Sequence, residues 1–349
     1  MPRRPRLTWL AVTGACLLAI AVAALALSRA PTDEYLFEPG STRNVDAMVE
    51  VQGEPSPAAT EPNGAGLYMV DIAVSRASVL QRLLPFLRKD GTLVPVEAFN
   101  PEGLSDEQKG KADLLLMSRS QQAAEAVGLR ALGCDVDIEP SGAEVALVLP
   151  GSPAATAGLE PGDLIVEVDG AAVDGPDDLR DVLAGVEPGD TVTVTYERDG
   201  KPVEVRVGTR GAGDDPDRAV MGVQVDQGAN VDLPVEVTID AKGVGGPSAG
   251  LVFALGIVDE LGPDVDQGRK VVATGELTLD GTVLPIGGIK QKTIAALEDG
   301  ADLFVVPVDN ATEARRYADG LPIIPVRTFT EAVNALGVSA EELAAGCPV

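Results

Sequence analysis

The sequence predicts a mixed α/β or α+β chain behind one membrane-spanning helix, on three observations. A charge-free apolar stretch follows an arginine-rich start. A β-rich segment of about eighty residues, closed by Asp-Gly turns, occupies the middle. Strand-like and helical runs then alternate to the C-terminus, as when helices pack on a sheet.

The first residues carry Arg3, Arg4 and Arg6, and 7–28 contains no charge. That length matches the roughly 20 residues a helix needs to cross a bilayer. Ala24-Leu25-Ala26 resembles a signal-peptidase site, but the apolar run exceeds the ~7–15 residues of a signal core. An uncleaved anchor over 1–30 is therefore expected. Its arginines stay cytoplasmic and everything after Arg29 lies outside the cytoplasmic membrane. Cys16 falls inside the span and reads as packing, since Thr13 does not fit a lipoprotein signal.

The chain has 349 residues, enough for two or three domains. Its net charge of −27 disfavours a nucleic-acid partner, which needs a basic face. No G-x-x-x-x-G-K-[ST] run is present, so no ATP site is read. There is no CxxC or Cys/His cluster, and neither a metal nor a cofactor is expected. Cys134 and Cys347 remain outside the span, and the sequence leaves their pairing open.

Residues 31–65, rich in Pro, Gly, Thr and Glu, read as a stalk. Residues 66–125 read as an α/β region without assigned chemistry: a strand at 67–74, then helical spacing at 77–87 and 105–132. In the middle segment, 145–148 and 164–168 are strands and 177–183 is a short helix. The strands at 191–196 and 203–207 flank Arg198-Asp199-Gly200, a hairpin signal. Residues 209–218 are a linker by composition. Beyond it, strands are expected at 235–239, 270–273 and 303–306. Helical runs lie at 248–261, 289–298, 311–318 and 330–336.

Gly243-Val244-Gly245-Gly246-Pro247-Ser248-Ala249-Gly250 strips the chain bare around one hydroxyl. Most serine nucleophiles lean on an imidazole, and this chain has no histidine. Small polar residues at a helix start are usually caps. The alternative is a serine nucleophile with a lysine base, which a dry or electropositive setting would favour. Leu284-Pro285-Ile286-Gly287-Gly288-Ile289-Lys290-Gln291-Lys292 supplies two lysines near a helix start. Lys292, with Ala295 and Ala296 on its face, has the more apolar side; Lys290 faces elsewhere. Solvated surface lysines are the ordinary case.

Two resemblances sharpen these readings. The run SPAATAGLEPGDLIVEVDG resembles PDZ domains of the bacterial protease type, over 126–208. PDZ domains take up a peptide as an added strand, and the resemblance implies a binding loop near Ala131-Leu132-Gly133-Cys134. GPSAG, then Thr274-Gly275-Glu276, then Gly287-Gly288-Ile289-Lys290-Gln291-Lys292 resemble the proteolytic domain of Lon proteases, over 219–349. That resemblance implies an α+β proteolytic fold and a Ser–Lys dyad of Ser248 and Lys292, with Thr274 supporting the lysine. Many Lon enzymes carry an acid three residues before the serine; here Gly245 stands there. No segment resembles the family's ATPase or N-terminal substrate domains.

The layout is similar to membrane-anchored PDZ–Lon peptidases of bacteria. The expected function is an ATP-independent serine endopeptidase outside the cytoplasmic membrane. Its substrates would be unstructured or loosely folded proteins or peptides, and the resemblance adds assembly into a hexamer. One rival is a catalytically inactive, membrane-tethered PDZ scaffold, which a serine-directed probe would distinguish. Another is a small-molecule kinase with GPSAG as a phosphate cradle, which predicts nucleotide binding.

Overall fold

The structure is a computed structural model and describes residues 5–51, 54–55, 64–100, 103–241, 243–343 and 347. In chain order, α1 (Pro5–Arg29) leads into β1 (Pro31–Asn44), β2 (Val49–Val51), β3 (Glu54–Pro55) and β4 (Gly66–Ser78). Then come α2 (Val79–Leu83), β5 (Thr92–Pro95), α3 (Val96–Phe99) and the long α4 (Asp106–Ala131). The middle module runs β6 (Asp137–Val148), α5 (Pro153–Ala157), β7 (Leu164–Val168), β8 (Ala171–Ala172), α6 (Pro176–Ala184), β9 (Thr191–Arg198) and β10 (Lys201–Gly208). It is followed by β11 (Arg210–Gly211), β12 (Ala219–Val220), β13 (Val223–Asp232) and β14 (Val237–Ile239). The last part holds α7 (Gly250–Leu261), β15 (Lys270–Ala273), β16 (Glu276–Leu277), β17 (Val283–Leu284) and α8 (Ile289–Glu298). It closes with β18 (Leu303–Pro307), α9 (Ala311–Ala314), β19 (Ile323–Val326), α10 (Phe329–Leu336) and α11 (Ala340–Leu343).

The central sheet has the order β19-β18-β15-β4-β1-β5. Strands β19, β18, β15 and β4 are parallel neighbours, whereas β1 pairs antiparallel with both β4 and β5. The proline- and glycine-rich start of the expected stalk is therefore a sheet strand. Tyr35, Leu36 and Phe37 of β1 are all buried. Likewise β4 and α4, from the region without assigned chemistry, belong to the same core as α7 and β15. Helix α4 lies so close to α7 that a Cβ on Gly128 would meet Ile257 at 3.0 Å. The apolar run after GPSAG forms α7, buried from Gly250 to Val258 as its all-round apolarity demands.

The middle module has its own core of Val145, Ile165, Val168, Leu179, Val192, Val194 and neighbours. Its sheet runs β10-β9-β7-β6-β13, with β8 beside β7. The expected hairpin forms: Asp199 and Gly200 both take positive φ, and Arg198 pairs with Lys201. Asp163, 1% exposed, takes the Arg198 guanidinium at 2.6 and 2.7 Å. Strand β13 returns along β6, from Val223 opposite Val148 to Asp232 opposite Asp137. Both edges of β6 are thus occupied, by β7 and β13.

Three local expectations change. Helical spacing at 77–87 gives way to β4 as far as Ser78, which caps the short α2; Pro85 then opens a 3-10 turn. The linker 209–218 contains β11, which pairs with β12 and closes the segment into a hairpin. Of Ala131 to Cys134, where a peptide-binding loop is expected, Ala131 ends α4 and the rest turns toward β6 with Leu132 and Cys134 buried, Cys134 being disulfide-bonded to Cys347. In α1, no residue of Val12–Arg29 is buried, and Cys16 points outward.

Candidate active site

Ser248 is half-buried in a turn two residues before α7, rather than in the helix as its spacing suggested. Tertiary hydrogen bonds hold it there. Its carbonyl accepts from the Gly275 N–H at 2.9 Å and the Thr274 hydroxyl at 3.0 Å. The Leu251 N–H donates to the Gly275 carbonyl at 3.2 Å. On the other side α4 braces the loop: the Ser120 hydroxyl donates to the Pro247 carbonyl at 2.9 Å, and the Gly246 N–H to the Asp113 carbonyl at 2.7 Å.

The contact with α4 accounts for Gly245. A Cβ there would lie 2.8 Å from the Asp113 Cβ. An acidic side chain three residues before the serine has no room unless α4 moves.

Lys292 sits in the second turn of α8, where its N–H donates to the Gly288 carbonyl. Its side chain is 3% exposed. Nζ lies 2.6 Å from Ser248 Oγ and 3.0 Å from Thr274 Oγ1. Thr274 is itself 1% exposed. The structure therefore brings all three predicted site residues together. Burial pushes the Lys292 amine down from 10.5 to about 7, against the opposing pull of the Asp71 carboxylate. Lys290 points elsewhere: its Nζ donates to the Thr92 hydroxyl at 3.1 Å and stands 5.5 Å from the centre of the Tyr317 ring.

Ser248 and Lys292 line a cleft of about 1050 Å³. Loop 243–249 forms one wall, and β4 from Met69 to Val74 forms another. Asp71 enters from β4, fixed by the Ser41 N–H at 2.7 Å and by Arg43 Nη2 at 3.0 Å. Asp71, Asp113 and Ser120 were missed from sequence because they come from β4 and α4, far from any motif. Nothing in their local pattern marks them.

Among the described residues, Asp259, Asp264 and Asp266 bring carboxylate oxygens within 4.8 Å of one another. They lie at and beyond the C-terminal end of α7, opposite the Ser248 end. Such clusters are common in a chain this acidic, and the Ser248–Lys292 contact does not involve them.

Comparison with known proteins bears on both modules. Residues 130–209 match the PDZ domain family model, and residues 217–336 match the Lon protease (S16) C-terminal proteolytic domain. Lon protease 2 of Bacillus subtilis (strain 168) is 34% identical over 114 residues, covering 33% of this chain and 20% of that protein. Lon protease of Azospirillum brasilense is 40% identical over 107 residues, 30% of this chain and 13% of that protein. This chain thus spans a fifth or less of the length of these relatives. The PDZ domain of an SdrC-like protein from Listeria monocytogenes aligns at 27% identity and a TM-score of 0.23, covering 24% of this chain and 87% of that domain. The chain carries a PDZ domain and a Lon-type proteolytic domain behind an N-terminal apolar helix.

Proposed function

We propose that this chain is an ATP-independent, membrane-anchored serine endopeptidase with a Ser248–Lys292 dyad. The observation that carries the reading is the 2.6 Å approach of a buried lysine amine to the Ser248 hydroxyl. An amine near pKa 7 is half neutral at neutral pH, so it can accept the Ser248 proton as Oγ attacks a peptide carbonyl. The resulting ammonium then protonates the leaving amine. The acyl-enzyme is released by water that the same neutral amine deprotonates. Thr274 Oγ1, 3.0 Å from Nζ, aims the lysine. The N-terminal end of α7 supplies positive potential beside the developing oxyanion.

The substrates are unstructured or loosely folded polypeptides outside the cytoplasm. Arg3, Arg4 and Arg6 favour a cytoplasmic N-terminus, and the Cys134–Cys347 bridge suits an oxidising compartment. The PDZ module raises the local concentration of an extended segment by strand addition. With β6 flanked on both edges, β13 is the edge strand on that side of its sheet. Assembly into a ring of six copies is the accompanying expectation, read by mass photometry.

The test uses the full chain in detergent micelles with fluorescently labelled casein and no nucleotide. The parent protein cleaves and reacts with a fluorophosphonate probe. Ser248→Ala and Lys292→Ala each lose cleavage while keeping the parent far-UV circular dichroism spectrum. Lys290→Ala keeps it. Cleavage by Lys292→Ala together with loss in Lys290→Ala refutes the lysine assignment.

A further inference from the structure

Outside α1, few large apolar side chains among the described residues face water, and three of them crowd five positions. Leu83 is 62% exposed, Phe86 74% and Leu87 42%. The chain has only six phenylalanines, and exposing one where no partner waits is unusual in a soluble surface. The place of this cluster explains it. The Val79 N–H donates to the Ala30 carbonyl at 2.9 Å, one residue past the end of α1, and Pro31 pairs with Ser78. Helix α2 and its 3-10 turn therefore start at the exit of the apolar helix. Basic residues interleave with the apolar ones: Arg82, 3.5 Å from Glu34; Arg88, whose Nε donates to the Gln81 carbonyl at 3.2 Å; and Lys89, 84% exposed at its side chain and 3.6 Å from Asp90 and 3.9 Å from Glu298. Glu34, Asp90 and Glu298 offset these cations, and what sets the segment apart is an aromatic and two leucines exposed at the exit of α1.

We propose that segment 79–89 rests in the headgroup layer of the bilayer that α1 crosses, with Leu83, Phe86 and Leu87 in the acyl boundary and Arg82, Arg88 and Lys89 toward anionic lipid phosphates. This inference rests on the reading of α1 as a membrane anchor. Apolar and aromatic side chains flanked by Lys and Arg have the chemistry of the membrane–water interface.

The contact also limits what reaches the cleft. β4 connects the two: Asp71 lines the cleft and Ser78 opens α2. Seven residues of extended chain span at most about 25 Å. A second attachment beside α1 stops the catalytic core from swinging away on a single hinge. The favoured substrates are then unstructured stretches of membrane proteins close to their own spans.

The experiment uses the full chain in nanodiscs containing anionic lipid. Trp9, the one tryptophan, becomes Phe, and Phe86→Trp supplies a single reporter. The matched control places the tryptophan at Val203, 37% exposed on the PDZ module. Trp at 86 is expected to emit at shorter wavelength than Trp at 203 and to be quenched by lipids brominated near the top of the acyl chain. Emission and quenching equal to the Val203→Trp control overturn the proposal. So does a blue-shifted emission that bromolipids leave unquenched, since that assigns the patch to a second copy. A functional arm compares Leu83→Ser/Phe86→Ser/Leu87→Ser with the parent. Cleavage of soluble casein should stay within about twofold. Cleavage of a peptide tethered to the same nanodisc should fall at least fivefold; equal rates on the tethered peptide overturn the proposal. Carbonate extraction separates the two readings: release of the parent chain from membranes removes the anchor itself, whereas retention without quenching removes this contact alone.

Discussion

Replacing Lys292 by methionine should make the protein more stable and inactive. The structure sets the size of the effect. In the unfolded chain the amine keeps its proton up to 10.5, while in the folded protein burial lowers that value to about 7. The gap corresponds to at most about 5 kcal/mol of cost carried by the native state. The sign follows from linkage. Above 10.5 the amine is neutral in both states and costs nothing. As pH falls from 10.5 to 7 the unfolded state takes up a proton that the folded state refuses, so stability is lost; below 7 the loss is complete. Methionine fills a similar volume without the charge, and repacking costs less than about 1.5 kcal/mol. Lys292→Met should therefore gain several kcal/mol at pH 7, and the gain should fade toward pH 10.5. Urea titration in detergent micelles, followed by far-UV circular dichroism at the two pH values, reads it directly. Equal losses of stability at both would refute the reasoning, because the lysine would then be contributing packing and not enduring desolvation.

Three further outcomes follow from the same geometry. Asp71→Asn removes the carboxylate that holds the Lys292 amine up, so the acidic limb of the kcat/KM profile should move to lower pH; an unmoved limb assigns it to another group. Gly245→Asp should lower both stability, by about 1–3 kcal/mol as overpacked sites do, and casein cleavage, because its Cβ enters the space of Asp113. Cys134→Ser/Cys347→Ser opens a loop of 213 residues and should cost up to about 5 kcal/mol of stability, read as a lowered Tm.

The site was legible where chemistry is local. Ser248 stands out among glycines, and Lys292 has an apolar helix face; the bounds 289–298 are those of α8. The Asp199-Gly200 turn gave away its hairpin because positive φ at two successive residues selects those residue types. Long-range pairing left no such mark. Gly66 to Tyr68 pair with Lys270 to Val272, and no pattern at either end names the other. The short EYLFE run of β1, set among prolines and threonines, reads as stalk until β4 and β5 are placed on either side. The helical spacing from Ser248 misleads for the same reason: the Gly275 and Thr274 donors that keep its carbonyl out of α7 arrive from another part of the fold.

Helix α4 touches both working parts of the molecule. Asp113 and Ser120 grip the backbone of the serine loop, while Arg119 pairs with Glu144 on β6 and Asp226 on β13. The two grips are adjacent in sequence at residues 119 and 120. A load on the PDZ sheet therefore reaches the Ser248 loop through one stiff rod rather than through a tether.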